Sequence, residues 1–374
     1  MSLQRTPRVT LFTSIASIAE SLQQAAPWLP LDCVHDPTAL SGYGGTVNFQ
    51  ADQLSDDSRQ VFRETEILIT EPAVLAAILQ KESSLNKLET FPRLKWCAST
   101  YAGVDPLFRL LDERKATSNN NNEIPSFQLT RFAGKFGPPI AEWCLARIIA
   151  HERKFALSAA DQQQQKWALS RQVTEYRYLA DLTLVILGGC GDIGSCIGRA
   201  AQAFGMNVVA YSRTERPSPG AGWDQVTTDL SYALQQGDYI VSVLPSTPNT
   251  RDLLSNEALS VASIVNGGKS PVFLNVGRGD VISEESLVVA LDHGYLSGAI
   301  LDVFPVEPLP ETSPLWNRPD VVISPHVSGV TRAADVPAVF LDNYSRYQNN
   351  QQLNFVVDWN KGYSMMRNEC HMAA

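Results

Sequence analysis

The chain has 374 residues, 44% of them hydrophobic and 18% charged, and its 39 Asp and Glu against 30 Lys and Arg leave a formal charge of −9. At about 100–200 residues per domain this length predicts two domains, and the composition excludes disordered, collagen-like and membrane classes. An acidic chain lacks the positive face needed to coat nucleic acid or an anionic membrane, so a small-molecule partner is expected instead.

No apolar run reaches ~18 residues, so no membrane-spanning helix is predicted. The six cysteines, Cys33, Cys97, Cys144, Cys190, Cys196 and Cys370, include no C-x-x-C pair. They read as reduced thiols of a cytoplasmic protein, with no metal site. Arg5 and Arg8 precede the first acid, Glu20, as in some transit peptides. The stronger reading takes Arg8-Val-Thr-Leu-Phe-Thr13 as a first strand and 15–26 as a first helix of a domain.

Further strands are predicted at 66–70 and 94–99, with a helix near 71–81. The Asn119–Asn122 tract reads as a solvated loop tip and Gln162–Gln165 as the exposed side of a helix. Residues 139–155 have helical periodicity with proline at the start, which suits a long helix joining two domains. The second half then repeats short apolar runs at 182–187, 207–211, 239–244, 272–276, 298–302 and 321–324. Each predicts a strand buried on both faces, and helix patterns at 192–204, 229–236, 252–263 and 283–294 separate them. A last helix, 333–349, could run back to the first domain. The fold class is therefore α/β with parallel, Rossmann-like sheets.

Gly189-Cys-Gly191-Asp192-Ile193-Gly194 follows a predicted strand and opens a predicted helix. In that context G-x-G-x-x-G predicts a dinucleotide site: glycine allows the turn and the close approach, and free helix N–H groups meet the pyrophosphate. The second strand of such a site often ends in an acid that holds the ribose 2′-hydroxyl. Here it ends Tyr211-Ser212-Arg213-Thr214, with Ser212 eighteen residues after Gly194. A hydroxyl beside a guanidinium suits a 2′-phosphate, so NADPH is expected over NADH, with NADH possible. Arg213 as a solvated loop residue is the alternative.

Three later segments, Asn275-Val276-Gly-Arg278-Gly-Asp280, Leu301-Asp302 to Glu307-Pro308, and Ser324-Pro-His326-Val-Ser-Gly329, each follow a predicted strand. Each should thus reach the carboxyl edge of the sheet. With the glycine loop and Leu244-Pro245-Ser-Thr-Pro-Asn-Thr250, they resemble the D-isomer-specific 2-hydroxyacid dehydrogenases, most of all the glyoxylate/hydroxypyruvate reductase branch. The resemblance covers 94–330 well. It implies a flavodoxin-like substrate domain over 1–130, completed by 326–374, around an inserted NAD(P)-binding Rossmann domain over 134–325, with the site in the cleft between. It implies that Arg278 grips the substrate carboxylate and carbonyl, that His326 is the acid/base and that Glu307 orients it. Asp302 would lie by the nicotinamide. Backbone N–H groups of Ala102 and Gly103 would meet the substrate carboxylate. Leu244, Pro245, Thr250 and Val276 join the expected cofactor contacts. A homodimer is also implied, in which Trp167 could belong to an arm reaching the partner; a core tryptophan is the other reading.

Elementary chemistry supports those roles. Reducing a 2-oxo acid needs a hydride donor, a cation to polarise the carbonyl and an acid to protonate the forming alkoxide. Arginine is forked and always charged, and imidazole is the usual proton carrier near neutrality. The expected reaction converts glyoxylate or hydroxypyruvate to the D-2-hydroxy acid. Other readings are an NAD-dependent D-lactate- or phosphoglycerate-type dehydrogenase and a dinucleotide-sensing, corepressor-like binding protein. His35, His151, His293, His371 and Glu142 sit in no motif and read as structural. Asp280 and Asp302 could also be helix-cap or turn residues. Cys190 and Asp192 depart from the family pattern in the glycine loop, and 266–270 looks like a longer surface loop.

Overall fold

The computed structural model describes residues 6–37, 39–41, 48–117, 123–254, 256–263 and 270–360. Arg5, the Asn119–Asn122 tract, most of the 266–270 loop, Cys370 and His371 lie outside the described residues. Two compact units divide the chain: Met1–Lys135 with Thr331–Ala374, and Phe136–Val330. The chain returns to the first unit after Val330 rather than before His326, because the 324–328 turn is hydrogen-bonded to Asp302 of the second unit.

The first unit begins β1 (Val9–Leu11), α1 (Ile18–Ala25), β2 (Leu31–Cys33) and the two-residue pair β3 (Leu40–Ser41) and β4 (Asn48–Phe49). It continues α2 (Asp56–Glu64), β5 (Ile67–Thr70), α3 (Pro72–Lys81), β6 (Trp96–Ser99), α4 (Asp105–Thr117) and β7 (Gln128–Thr130). The five-stranded sheet has the order β2-β1-β5-β6-β7 and is parallel throughout. That is the flavodoxin-like order. Every residue of β5 and β6 is buried, as expected of strands covered by helices on both faces.

The second unit contains α5 (Gly137–Glu152), α6 (Phe155–Gln163), α7 (Arg171–Thr174), β8 (Thr183–Leu187), α8 (Asp192–Ala203), β9 (Asn207–Tyr211) and β10 (Gln225–Thr227). Then come α9 (Leu230–Gln236), β11 (Tyr239–Ser242), α10 (Asn256–Ser260), β12 (Val272–Asn275), α11 (Glu284–Asp292), β13 (Gly298–Leu301) and β14 (Val321–Ile323). Its parallel seven-stranded sheet runs β10-β9-β8-β11-β12-β13-β14, so the order reverses between β8 and β11. In open α/β sheets that reversal, at the carboxyl ends of the strands, is where ligands bind. Capping sets the helices: Asp229 accepts from the Tyr232 N–H at 3.0 Å, and Ser283 from the Ser286 N–H at 3.1 Å. The last helix, α12 (Val336–Gln348), packs in the first unit, where Phe340 stacks on Trp96 with ring centroids 5.3 Å apart.

Several elements differ from the sequence expectation. The helix expected over 139–155 ends at Glu152, because Lys154 takes φ 51° and α6 starts anew at Phe155. The helix expected from 252 starts at Asn256, since Asp252 has φ 50° and residues 252 and 254 donate to the Asp280 and Val281 carbonyls. Strand β14 is only partly buried: it lies at the sheet edge with β13 as its one strand neighbour.

Candidate active site

The loop after β8 turns at Gly188-Gly189-Cys190-Gly191 straight into α8. A Cβ on Gly194 would stand 2.5 Å from the Gly188 carbonyl oxygen, so glycine there lets helix and strand meet closely. A Cβ on Gly191 would meet only that same oxygen, at 3.3 Å, so the outer side of the turn stays open. Gly191 caps α8 without a side-chain hydrogen bond, and the first N–H groups, from Asp192 to Gly194, have no intrahelical acceptor. These residues fit a dinucleotide pyrophosphate. The exposed Asp192 carboxylate at the same terminus opposes an anion. At the end of β9, Ser212 is half-buried and Arg213 and Thr214 are exposed, so all three are accessible. Cys190 lies close by: burial pushes its thiol up, against a hydrogen bond to Ser212 and the charge of Arg216.

After β11, Leu244 and Pro245 are half-buried, whereas Thr250 is buried. Its hydroxyl donates to the Pro245 carbonyl at 2.5 Å and accepts from the Thr247 N–H at 2.9 Å. Thr250 therefore clasps its own loop. Asp280 braces the same loop, accepting from the Ser246 hydroxyl at 2.5 Å and facing Arg251 at 3.4 Å.

Val276 is buried and continues the β12 ladder through its N–H to the Ser242 carbonyl, 3.1 Å. Arg278 follows on a turn pinned by Asn275, whose side-chain amide donates to the Arg278 carbonyl at 3.0 Å and whose Oδ1 accepts from the Gly277 N–H at 3.2 Å. The glycines flanking Arg278 allow close approach on both sides. A Cβ on Gly277 would stand 2.7 Å from the Leu244 carbonyl oxygen, and one on Gly279 only 1.9 Å from the Phe304 carbonyl carbon. The guanidinium donates to the Gly277 carbonyl at 2.8 Å.

The Phe304 side of that contact leads to Glu307. Its Oε1 accepts from the Phe304 N–H at 2.9 Å, and its Oε2 faces His326 Nδ1 at 2.8 Å. Nε2 is thereby the imidazole nitrogen left for a substrate. Burial works to raise the Glu307 carboxyl, but the hydrogen bond and charge of His326, the Phe304 N–H and the Arg278 charge outweigh it. The group sits below its ordinary 4.5. The Glu307 side chain is 26% exposed and that of His326 44%. The structure thus brings Arg278, Glu307 and His326 onto neighbouring loops at one sheet edge. It also gives roles to motif residues to which none had been assigned: Asn275 pins the Arg278 turn, and Ser324 and Ser328 donate to Asp302. The Asn at the head of Asn-x-x-Arg-Gly was the available signal for the first.

In the first unit, Ala102 and Gly103 lie half-buried between β6 and α4. Ser99 fixes the preceding backbone, donating to the Tyr101 carbonyl at 2.8 Å and accepting from the Tyr101 N–H at 3.0 Å. Neither the Ala102 nor the Gly103 N–H has a partner among the described residues. Elsewhere, His151 meets the Tyr239 hydroxyl at 2.6 Å, within a partly buried network of Glu152, Arg177 and Asp238. His293 faces the Val289 carbonyl at 2.9 Å. Both are structural. Trp167 is 92% exposed and is no core residue.

A parallel sheet with a glycine turn at its reversal, and Arg, Glu and His on the neighbouring loops, defines the two-domain NAD(P)-dependent α/β dehydrogenases. Residues 145–328 match the family model "D-isomer specific 2-hydroxyacid dehydrogenase, NAD binding domain". A solved family protein from Aeromonas salmonicida subsp. salmonicida A449 is 32% identical, over 95% of this chain and 100% of that one, with a TM-score of 0.75. The chain belongs to the D-isomer-specific 2-hydroxyacid dehydrogenases, which are NAD(P)-dependent enzymes. It is also similar to an NADPH-dependent glyoxylate/hydroxypyruvate reductase from Sinorhizobium meliloti, solved with NADP and sulfate. That match has 25% identity, covers 96% of this chain and 100% of that one, and has a TM-score of 0.70. A probable 2-hydroxyacid dehydrogenase from Rhizobium etli CFN 42, solved with NADP, HEPES and L(+)-tartaric acid, has 25% identity, covers 95% and 99%, and has a TM-score of 0.69. Among the described residues no helix is long and apolar enough to cross a membrane.

Proposed function

We propose that the protein reduces a small 2-oxo acid of the glyoxylate/hydroxypyruvate type to its D-2-hydroxy acid, preferring NADPH. The observation that carries this reading is the 2.8 Å pair of Glu307 with His326 beside the Arg278 turn. Bound NADPH supplies the hydride. Arg278 holds the substrate carboxylate and draws electron density from the carbonyl. His326, its Nδ1 held by Glu307, delivers a proton from Nε2 to the alkoxide oxygen, so that NADPH, a proton and the 2-oxo acid give NADP⁺ and the hydroxy acid. In the first unit, the N–H groups of Ala102 and Gly103, which have no partner among the described residues, are the candidate donors to a substrate carboxylate. Gly189, Gly191, Asp192 and Ile193 hold the pyrophosphate, and Leu244, Pro245 and Val276 line the nicotinamide half. Thr250 supports that half through its own loop.

The accessible Ser212, Arg213 and Thr214 support the NADPH preference, as does the NADP in the Sinorhizobium and Rhizobium relatives. Exposed Phe155, Trp167, Leu169 and Tyr178 in the 153–180 segment support a homodimer, because exposed apolar side chains grouped along one segment suit a protein contact. The five described cysteines are all unpaired, in keeping with the reducing cytoplasm. Steady-state oxidation of NADPH and NADH with glyoxylate, hydroxypyruvate, pyruvate and phenylpyruvate tests the reading. Turnover with the first two and a higher kcat/KM for NADPH are expected. No turnover with any 2-oxo acid would sink the proposal and leave a dinucleotide-sensing role. Light scattering reads the dimer.

A further inference from the structure

Strands β9 and β10 are parallel neighbours, so the chain between them must cross back along the sheet, which usually takes a helix. Here residues 212–224 make the crossing without one. Packing holds them instead. Gly222, at φ 103°, brings its backbone against α8: a Cβ there would stand 2.4 Å from the Ser195 carbonyl oxygen, and a Cβ on Gly198 only 1.7 Å from the Gly222 carbonyl oxygen. Trp223 then closes the loop on itself. Its indole N–H donates to the Pro217 carbonyl at 3.0 Å, its ring lies against the Gly220 backbone, and its own N–H and carbonyl bond to Gly220 at 3.4 and 3.0 Å. The Ser218 hydroxyl adds a bond to the Asp224 carbonyl at 2.9 Å. At the other end, the Ser212 N–H donates to the Thr227 carbonyl at 3.0 Å, and the Tyr211 carbonyl accepts the Gly188 N–H at 3.1 Å. The four residues between Ser212 and Pro217, Arg213-Thr-Glu-Arg216, therefore form an arch between two fixed points beside the glycine turn. From this arch the Arg216 charge reaches the Cys190 thiol of that turn.

We propose that Trp223 is a positioning residue for cofactor choice: by fixing Pro217 it sets the Arg213–Arg216 arch, and so decides how well the enzyme separates NADPH from NADH. This rests on the reading that NADPH is preferred. Arginine recognises a phosphate through a planar fork, so its affinity depends on where the backbone sets the guanidinium. Glu215 stands between the two arginines, and an arch free to turn would offer a phosphate that carboxylate as readily as a guanidinium. A crossing with no helix has no hydrogen-bond ladder of its own to hold such a geometry. The indole bond supplies the hold one residue away from Arg216. Trp223 is 9% exposed, and its single side-chain donor is taken by Pro217. Its loop sits on α8 at Ser195 and Gly198, one to two turns beyond the terminus that fits the pyrophosphate, so the indole acts through the arch. The 2′-phosphate is the part of NADPH that NADH lacks. A loosened arch therefore weakens NADPH and leaves NADH almost unchanged.

The test compares the affinities of NADPH, NADH, 2′,5′-ADP and 5′-AMP, by fluorescence and calorimetric titration. The proteins are wild type, Trp223→Phe, the double variant Arg213→Ala with Arg216→Ala, and the three changes together. Trp223→Phe keeps an aromatic ring and removes the N–H. Loosening a charge-assisted hydrogen bond should weaken NADPH and 2′,5′-ADP roughly three- to tenfold, while NADH and 5′-AMP stay within about twofold. In the double-alanine background the same change should shift NADPH by less than about twofold, because nothing is left to position. An unchanged NADPH-to-NADH Kd ratio in Trp223→Phe, equal weakening of both dinucleotides, or a full further loss in the double-alanine background overturns the proposal. If wild type itself binds 2′,5′-ADP no better than 5′-AMP, the NADPH preference fails first and the proposal falls with it. Should Trp223→Phe not fold, Ser218→Ala withdraws one bond from the same loop and leaves the indole in place. A loss of NADPH affinity of about two- to threefold with NADH unchanged supports the proposal, and an unchanged ratio contradicts it.

Discussion

The two units use a buried carboxylate at a strand end in different ways. In the second, Asp302 takes donors on both oxygens and holds a turn that carries a chemically active side chain. In the first, Glu71, also 0% exposed, gathers the Thr13 hydroxyl, the Ser14 hydroxyl and the Ser14 N–H on Oε1, at 2.7–2.9 Å, while Oε2 has no partner among the described residues. One carboxylate organises a site and the other ties β1's following loop to β5's end. The same fold element therefore serves catalysis or architecture according to what hangs on the loop it holds.

The largest effect separating the units is expected at His326. His326→Ala should lower kcat by ~10²–10⁴ while fluorescence titration shows NADPH binding intact, as for loss of a general acid. Glu307→Gln should cost less: a hydrogen bond to a charged group contributes about 1.5–3 kcal/mol, so kcat/KM should fall about 10- to 150-fold. The same variant has a pH signature in thermal melts. Because the folded state holds Glu307 below its ordinary 4.5, its charge stabilises the fold above that value, and the benefit is lost as pH falls through the lowered one. The Tm gap between wild type and Glu307→Gln should therefore be present at neutral pH and close in acid; a gap that widens in acid contradicts it. Glu71→Ala should strand the partly buried donors of Thr13 and Ser14, at about 1 kcal/mol of stability measured by denaturant unfolding, with NADPH affinity unchanged. A variant that keeps its stability and loses only turnover would erase the contrast drawn above. The smallest effect is expected at Asp192→Asn, which relieves repulsion at the α8 terminus and should tighten NADPH about two- to fivefold.

The second unit was readable because its strands are continuous apolar runs and its chemistry is spelled by side chains at fixed offsets. Leu184 to Leu187 and Val272 to Leu274 announce buried strands by composition alone. Strand β10 (Gln-Val-Thr) escaped because an edge strand with polar faces carries no such signal. In the first unit, β2 and β7 are three residues long with polar members, and α4 follows a turn whose function rests on backbone N–H groups. Backbone donors leave no residue type to read. Ala102 and Gly103 were reached only by likeness to a family. The Asp302 turn was hidden for a related reason: nothing in Ser-Pro-His-Val-Ser says that its N–H groups converge on a carboxylate 22 to 26 positions earlier.

The chain's double crossing between units bears on the order of events during synthesis. The second unit is continuous, Phe136 to Val330, whereas the core of the first includes Val357 and Trp359, and Phe340 stacks on its Trp96. Ribosomes add roughly 5–20 residues per second, so the first 135 residues wait on the order of 10–40 s for the segment that completes their core. During that interval the nascent chain presents an unfinished apolar face while the inserted unit is already able to close. The first unit's core stays incomplete until the segment from Phe340 to Trp359 has emerged.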